Sequence, residues 1–292
     1  MTASTTPRRA SHSAVSWRCP TCTLSLVEDS TGAWCDNGHR IDRAREGYLN
    51  LLPGGRLKGR PAGDDGEMLR ARRAVFDAGL YAPVQEAVAS MVARFSPTVV
   101  VDTGCGEGAY LSAVAAPQRL GIDIAKDGIR LASRRYRDAR WAVASSYHLP
   151  VDDAVADVVL SVFAPRPFDE LHRVLRPGGV VVVASPGPDH LAGLTELIYG
   201  TARVHEQRAH TSAPDAPGEV GGADEAVPAT SVAREQVRFA LTLTSAMEIT
   251  DLLHMTPYWW RASAEQRAAI GDLAGLTTTV DVVITAHRRG AP

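Results

Sequence analysis

Cysteine is scarce in this chain, neither sign of charge dominates, and no long apolar run occurs. Each shortage closes off a class of protein. Four cysteines in 292 residues exclude the disulfide-dense secreted scaffolds, in which covalent staples stand in for a core. A formal net charge of -2 excludes a globally basic coat, so any contact with nucleic acid must come from local basic patches. No apolar stretch approaches the ~20 residues that a membrane-spanning helix needs. The opening residues 1–16, MTASTTPRRASHSAVS, lack the apolar run of a secretory leader and read as a disordered tail. The expected setting is cytoplasmic, where thiols stay reduced.

What remains is ordinary for a folded globular protein, with 45% hydrophobic and 22% charged residues. The length suits one large domain plus a small one.

The small domain announces itself in WRCPTCTLSLVEDSTGAWCDNGH, which holds three of the four cysteines. Cys19 and Cys22 are spaced C-x2-C, and Cys35 and His39 follow as C-x3-H. Two such knuckles supply three thiolates and one imidazole, a donor set suited to tetrahedral Zn²⁺. A closed four-ligand shell leaves no position for water, so the zinc is expected to be structural. A module spanning 17–53 is too small to be held by its own core, and metal binding supplies its folding energy. Cys105 lies far downstream and reads as a small residue in a glycine-rich turn.

Beyond about residue 84 the pattern becomes α/β. Val99 to Val101 is a short β-branched run, and it ends in Asp102-Thr103-Gly104-Cys105-Gly106-Glu107-Gly108 before a helix. Glycines at alternate positions let the backbone turn sharply and approach a ligand. A second strand, Leu120 to Ile124, carries Asp123 about twenty residues past the turn, where a carboxylate accepts from a ribose. Further strands follow at Trp141 to Ala144, Val158 to Phe163 and VVVVAS, with helices between them. Alternation of this kind predicts a mostly parallel sheet covered on both faces, with ligands at the carboxyl ends of its strands. Two donor classes compete for the turn. A diphosphate would meet the charge of Glu107 and be repelled, whereas the sulfonium of S-adenosylmethionine is suited to an acidic, phosphate-free cradle.

The segment Asp102–Gly108, the strand ending at Asp123, LPVDD and LRPGG resemble a class I S-adenosylmethionine-dependent methyltransferase. REGYLNLLP (Arg45–Pro53), GDDGEMLRARRAVFDAGLY (Gly63–Tyr81), VDTGCGEGAY (Val101–Tyr110), ASPGPDHLAGLTELIY (Ala184–Tyr199) and MTPYWWRA (Met255–Ala262) narrow this. Together they resemble the RlmA family of 23S ribosomal RNA guanine-N1 methyltransferases acting in hairpin 35. The likeness runs over nearly the whole chain and is weakest before Trp17 and between Glu206 and Arg234. It implies a Rossmann-like, mostly parallel seven-stranded sheet and zinc on Cys19, Cys22, Cys35 and His39. It also implies donor contacts at Tyr81, Gly106, Glu107 and His190, joined by Gly104 from the turn and Asp123 on the ribose. A homodimer is implied as well. The Ala/Arg/Val-rich composition is similar to actinobacterial chains, in which the type II branch modifies guanosine 748 and confers tylosin-class resistance. The neighbouring type I position and a non-catalytic zinc-dependent RNA binder are the alternatives.

Guanine N1 lies on the Watson–Crick edge, so the acceptor must be splayed from its stack. Aromatic candidates for its pocket are Phe163, at the exit of the fourth strand, and the run Tyr258, Trp259 and Trp260; each has core packing as its plain alternative. No carboxylate stands out as the base that removes the N1 proton. For phosphate contacts, Arg56, Lys58 and Arg60 sit in a linker, and Arg70, Arg72 and Arg73 follow on a helix, within a basic segment over 54–83. The catalytic domain is expected over 84–292, with a flexible Gly/Pro/Ala-rich insertion at 207–234. On this reading the zinc module is an RNA-recognition arm.

Overall fold

The computed structural model describes residues 14–53, 66–200, 230–256 and 258–289. The N-terminal module carries β1 (Val27–Glu28), β2 (Gly32–Trp34), β3 (Arg40–Asp42) and β4 (Leu49–Asn50). Next come α1 (Gly66–Asp77), α2 (Ala82–Ala93), β5 (Val99–Thr103), α3 (Ala109–Ala113), β6 (Gln118–Asp123), α4 (Lys126–Arg135) and β7 (Arg140–Val143). The second half contains β8 (Ala156–Val162), α5 (Phe168–Val174), β9 (Leu175–Pro186), α6 (Ala192–Tyr199), β10 (Thr230–Leu243), α7 (Ala246–His254), α8 (Ala264–Gly271) and β11 (Leu276–Arg288).

The main sheet runs in the order β10-β11-β9-β8-β5-β6-β7-β4. Strands β4 to β9 pair in parallel, whereas β11 lies antiparallel to both β9 and β10. The central strand β5 is buried along its whole length, as are all seven residues of β8. This explains why these strands are near-continuous runs of valine rather than alternating patterns. Strand order reverses at β5, which has β6 on one side and β8 on the other, and that switch point is where an open α/β sheet offers its crevice.

Three features differ from the sequence expectation. Among the described residues the sheet has eight strands, not seven, because the zinc module contributes β4: Leu49 pairs with Ala142 and Asn50 with Val143. Two residues from a remote module carry no recognisable strand signal. The insertion expected over 207–234 ends earlier, since β10 starts at Thr230 and pairs residue by residue with β11, Arg234 opposite Thr285 among them. This edge strand shows one face to water, so its polar residues read as linker. The tail expected over 1–16 is also shorter. Val15 is buried and donates its N–H to Gln118 Oε1 at 2.7 Å. The basic linker residues Arg56, Lys58 and Arg60 lie outside the described residues.

The zinc module is a layer of the core. Cys19, Leu26, Ala33, Cys35, Leu49 and Leu51 share one buried cluster with Val101, Leu120, Ile122, Val159 and Val181 of the sheet. Trp17 bridges Val151, and Arg18 pairs with Asp152 at 3.0 Å and Asp153 at 3.1 Å. Glu28 pairs with both Arg43 and Arg140, and the Arg140 guanidinium lies 5.1 Å over the Trp17 ring. The module expected from sequence to be an RNA-recognition arm is thus docked against the sheet face. The opposite face is covered by the cluster that includes Val84, Val88 and Met91 of α2 and Ile249, Leu252 and Leu253 of α7. Helix α1 joins this layer, burying Leu69, Ala71 and Val75. Among the described residues, no helix is long and apolar enough to cross a membrane.

Candidate functional site

The Cys/His cluster is assembled by two tight turns. Cys19 accepts from the Thr23 N–H at 2.9 Å and donates its own N–H to Leu24 O at 2.8 Å. In the second turn Gly38 takes φ +77°, a conformation open to glycine at little cost. It donates to Cys35 O at 2.9 Å. The result brings four ligand atoms to within 4.8 Å of one another. Cys35 Sγ lies 3.4 Å and Cys19 Sγ 3.6 Å from His39 Nδ1, and Cys22 Sγ lies 3.5 Å from Cys35 Sγ. Metal–ligand bonds of ~2.0–2.3 Å in tetrahedral geometry require ligand–ligand edges of roughly 3.3–3.8 Å, so the donor set fits zinc. Cys105 is buried elsewhere, its Sγ 3.8 Å from Gly106 O; burial pushes its thiol well above the usual range.

The second site lies at the switch point. Gly104, Gly106 and Gly108 take φ of +71°, +54° and +81°. A Cβ on Gly104 would stand 2.5 Å from Ala164 Cβ, and one on Gly108 only 2.4 Å from the Trp141 ring. The turn is therefore a cradle that side chains cannot enter. Asp123 closes it from the tip of β6, accepting from the Gly106 N–H at 2.8 Å and the Ala125 N–H at 2.7 Å. Asp102 is 1% exposed, and its Oδ1 has no hydrogen-bond partner among the described residues. An unpartnered acceptor beneath a glycine cradle suits a cationic ligand.

Glu107 behaves otherwise than its place in the sequence implies. It is buried, and its Oε2 accepts from Arg73 Nε at 2.9 Å and lies 2.8 Å from Arg73 Nη2. Burial raises its carboxyl and Arg73 works against that rise. Its charge is answered within the chain by Arg73, while Asp123 is the acid bonded to the turn itself. Arg73 is thereby committed to this pair.

Burial, with a smaller push from Asp123, raises the Asp102 carboxyl from 3.8 to about 8. The folded chain holds this proton up to about pH 8 while the unfolded chain releases it near 3.8. Folding therefore binds a proton between those values. The stability linked to Asp102 is whole below the lower value and is lost as the pH climbs to the upper one. Urea melts across that window should show wild type losing stability relative to Asp102→Asn, and parallel curves would refute the shift.

On the other side of the cradle, Tyr81 Oη lies 3.4 Å from His190 Nε2, and His190 Nδ1 accepts from the Asp281 N–H at 3.2 Å. The His190 ring is stacked against Phe163 at 5.8 Å, and Phe163 meets Tyr110 at 6.3 Å. Phe163 has φ +53° and is 41% exposed. A bulky residue in the left-handed region is strained, and its exposure excludes the plain core reading. The fold thus brings together Tyr81, His190, Phe163, Gly104, Gly106, Glu107 and Asp123.

Trp259 and Trp260 are placed differently. Trp259 packs edge-on against His254 at 3.7 Å, with Arg267 4.7 Å over its ring. Trp260 is half exposed. Among the described residues, no ring contact joins either to Phe163. Sequence reasoning missed Tyr110, which completes the aromatic wall from the first helix after the turn; its position two residues beyond Gly108 was the available signal.

Residues 17–58 match the family model described as RlmA, N-terminal, and residues 101–183 match a methyltransferase domain. The chain is 39% identical over 200 residues to the 23S rRNA (guanine(748)-N(1))-methyltransferase of Streptomyces fradiae, covering 65% of this chain and 70% of that one. It is 30% identical over 283 residues to YxjB of Bacillus subtilis, with coverage of 92% and 95%. YxjB carries the provisional name 23S rRNA (guanine-N(1)-)-methyltransferase. A Micromonospora griseorubida protein of the same provisional name is 36% identical over 212 residues, with coverage of 64% and 70%.

Proposed function

The chain belongs to the RlmA family of 23S rRNA (guanine-N1)-methyltransferases, and from that premise we propose that it methylates N1 of a guanine in hairpin 35 of 23S rRNA. Guanosine 748 is the target we favour, because the Streptomyces fradiae relative is named for that position. S-adenosylmethionine supplies an electrophilic methyl group on a sulfonium. The glycine cradle, Asp102 and Asp123 would hold the donor, with Tyr81 and His190 at its other side. The zinc would sit on Cys19, Cys22, Cys35 and His39.

The observation that carries the reading is the aromatic wall beside the cradle. Phe163 is strained into the open at the exit of β8, braced by His190 and Tyr110. A flat, half-exposed ring at the acceptor end of the crevice suits stacking on a splayed guanine. A homodimer, a cytoplasmic setting and tylosin-class macrolide resistance belong to the same proposal and rest on the family likeness.

Primer extension on ribosomal RNA from cells with and without the protein tests it. A stop at hairpin 35 that depends on the protein is expected, and an unmodified hairpin would overturn the substrate. Phe163→Ala should cost about tenfold or more in turnover, since stacking of one base is worth ~1–3 kcal/mol. Donor affinity should barely change. A Phe163→Ala enzyme with wild-type kinetics would remove Phe163 from the acceptor site.

A further inference from the structure

The arginines where the zinc module meets α4 and β7 fall into two groups. Arg43 and Arg140 share Glu28, Arg119 holds Asp138, Arg135 holds Asp77 and Arg130 holds Asp127. Arg45, Arg134 and Arg137 are exposed. Among the described residues, the guanidinium of none of these three has an ion pair or hydrogen bond. The three converge on one recess of about 490 Å³, in which Glu46 is the one acid among the described lining residues. Both walls of the recess are fixed. On the zinc-module side is the turn between β3 and β4. There the Ala44 N–H donates to Tyr48 O at 2.9 Å, the Gly47 N–H to Ala44 O at 2.8 Å and Arg43 Nη1 to Gly47 O at 2.9 Å. On the other side is the end of α4, where the Tyr136 N–H donates to Ala132 O and Trp141 Nε1 to Tyr136 O, each at 2.8 Å.

Three cations held on rigid turns beside one acid repel one another, and anions brought by a partner relieve that repulsion. Arg134, in the last turn of α4, also suits the negative end of the helix. Arg137 lies past the cap and Arg45 comes from another module, so the helix dipole accounts for neither. A partner carrying a row of anions answers all three, and the guanidinium fork matches phosphate oxygens. In a chain of net charge -2, contact with nucleic acid has to come from such a local patch. We infer that Arg45, Arg134 and Arg137 form a phosphate-binding surface for the backbone of the RNA substrate, an assignment that rests on the RNA reading above. The recess lies at the Arg140 end of β7 and the crevice at its Val143 end. Four strand residues span ~13 Å, about four base-pair steps of a stem at ~3.4 Å each, so one RNA stem reaches both. The contact positions the RNA without reading its bases.

The test is the salt dependence of binding between the full zinc-loaded chain and a hairpin 35 transcript. Each phosphate contact contributes a slope of ~0.7–0.9 in log K against log salt. Arg45→Gln, Arg134→Gln and Arg137→Gln should each lower the slope by about that amount. The triple glutamine variant should lose about two units and bind roughly tenfold or more weakly, with the melting temperature and donor affinity of wild type. The triple lysine variant should keep most of the slope. Arg94→Gln is the control for bulk charge, because it removes an exposed arginine paired elsewhere, with Glu235; its slope should not move. A triple glutamine variant with the wild-type slope would overturn the inference, and is the result for a recess that answers an acidic protein. A loss in Arg94→Gln equal to that of each single variant would overturn it too, since bulk charge would then be the cause. Wild type that binds S-adenosylmethionine but no hairpin RNA would overturn the RNA reading itself and the inference with it.

Discussion

Stripping the zinc should collapse more than the N-terminal module. The four ligands tie two turns that have little core of their own, and zinc binding in such modules is worth ~10–16 kcal/mol. That matches or exceeds the ~5–15 kcal/mol that stabilises a whole domain. Loss of the metal would release β4 from β7, and with it the bond from the Leu51 N–H to Val143 O at 2.8 Å. Strand β7 then becomes an exposed edge. It supports the glycine turn and Asp123, through the Trp141 ring packed against Gly108 and Gly121 and through the Ala144 N–H on Asp123 O at 3.0 Å. Cys35→Ser, or chelation of the wild type, should therefore abolish hydrogen-exchange protection across 17–53. It should also weaken donor binding by tenfold or more, the worth of about 1.4 kcal/mol. Zinc-free protein with unchanged melting temperature and donor affinity would show that the module is an independent appendage.

The second large effect is expected from one methyl group. Gly104→Ala adds a Cβ at φ +71°, which costs ~1–2 kcal/mol for any L side chain. That Cβ also falls 2.5 Å from Ala164 Cβ, so the segment following Phe163 must move. Donor affinity and turnover should fall about a hundredfold or more, as when ~3 kcal/mol of binding is lost. Gly79→Ala provides the control. Its φ is +70° and nothing lies within 4 Å of its added Cβ, so it carries the same backbone cost without the collision. It should lower stability by only that ~1–2 kcal/mol and leave donor binding alone. If both variants bind the donor equally well, the cradle is not where the donor sits.

Glu107 and Phe163 illustrate how far the sequence could be read. The glycine spacing marked the turn, and a glutamate within it suggested an acid facing the donor. Its partner Arg73 lies 34 residues away on a helix whose charges resemble any solvated face. Phe163 was balanced between core and acceptor wall, because a strand-end aromatic is compatible with either; its positive φ and exposure set it outside the packed core. The tryptophan pair carried the same ambiguity, and Trp259 went to a pocket with His254 and Arg267.

What the sequence determined by itself was local: two metal knuckles, a glycine turn after a β-branched strand, an acid at the end of the next strand, and the alternation that makes a parallel sheet. Each is written within a few residues, where steric and ligand geometry constrain residue type directly. Tertiary structure decided which charges cancel, that the zinc module completes the sheet, and which aromatics gather together beside His190. Those outcomes join residues far apart in the chain, such as Leu49 with Ala142 and Tyr81 with His190. Contacts of that kind leave no period or spacing to read, because chain folding alone brings the partners together.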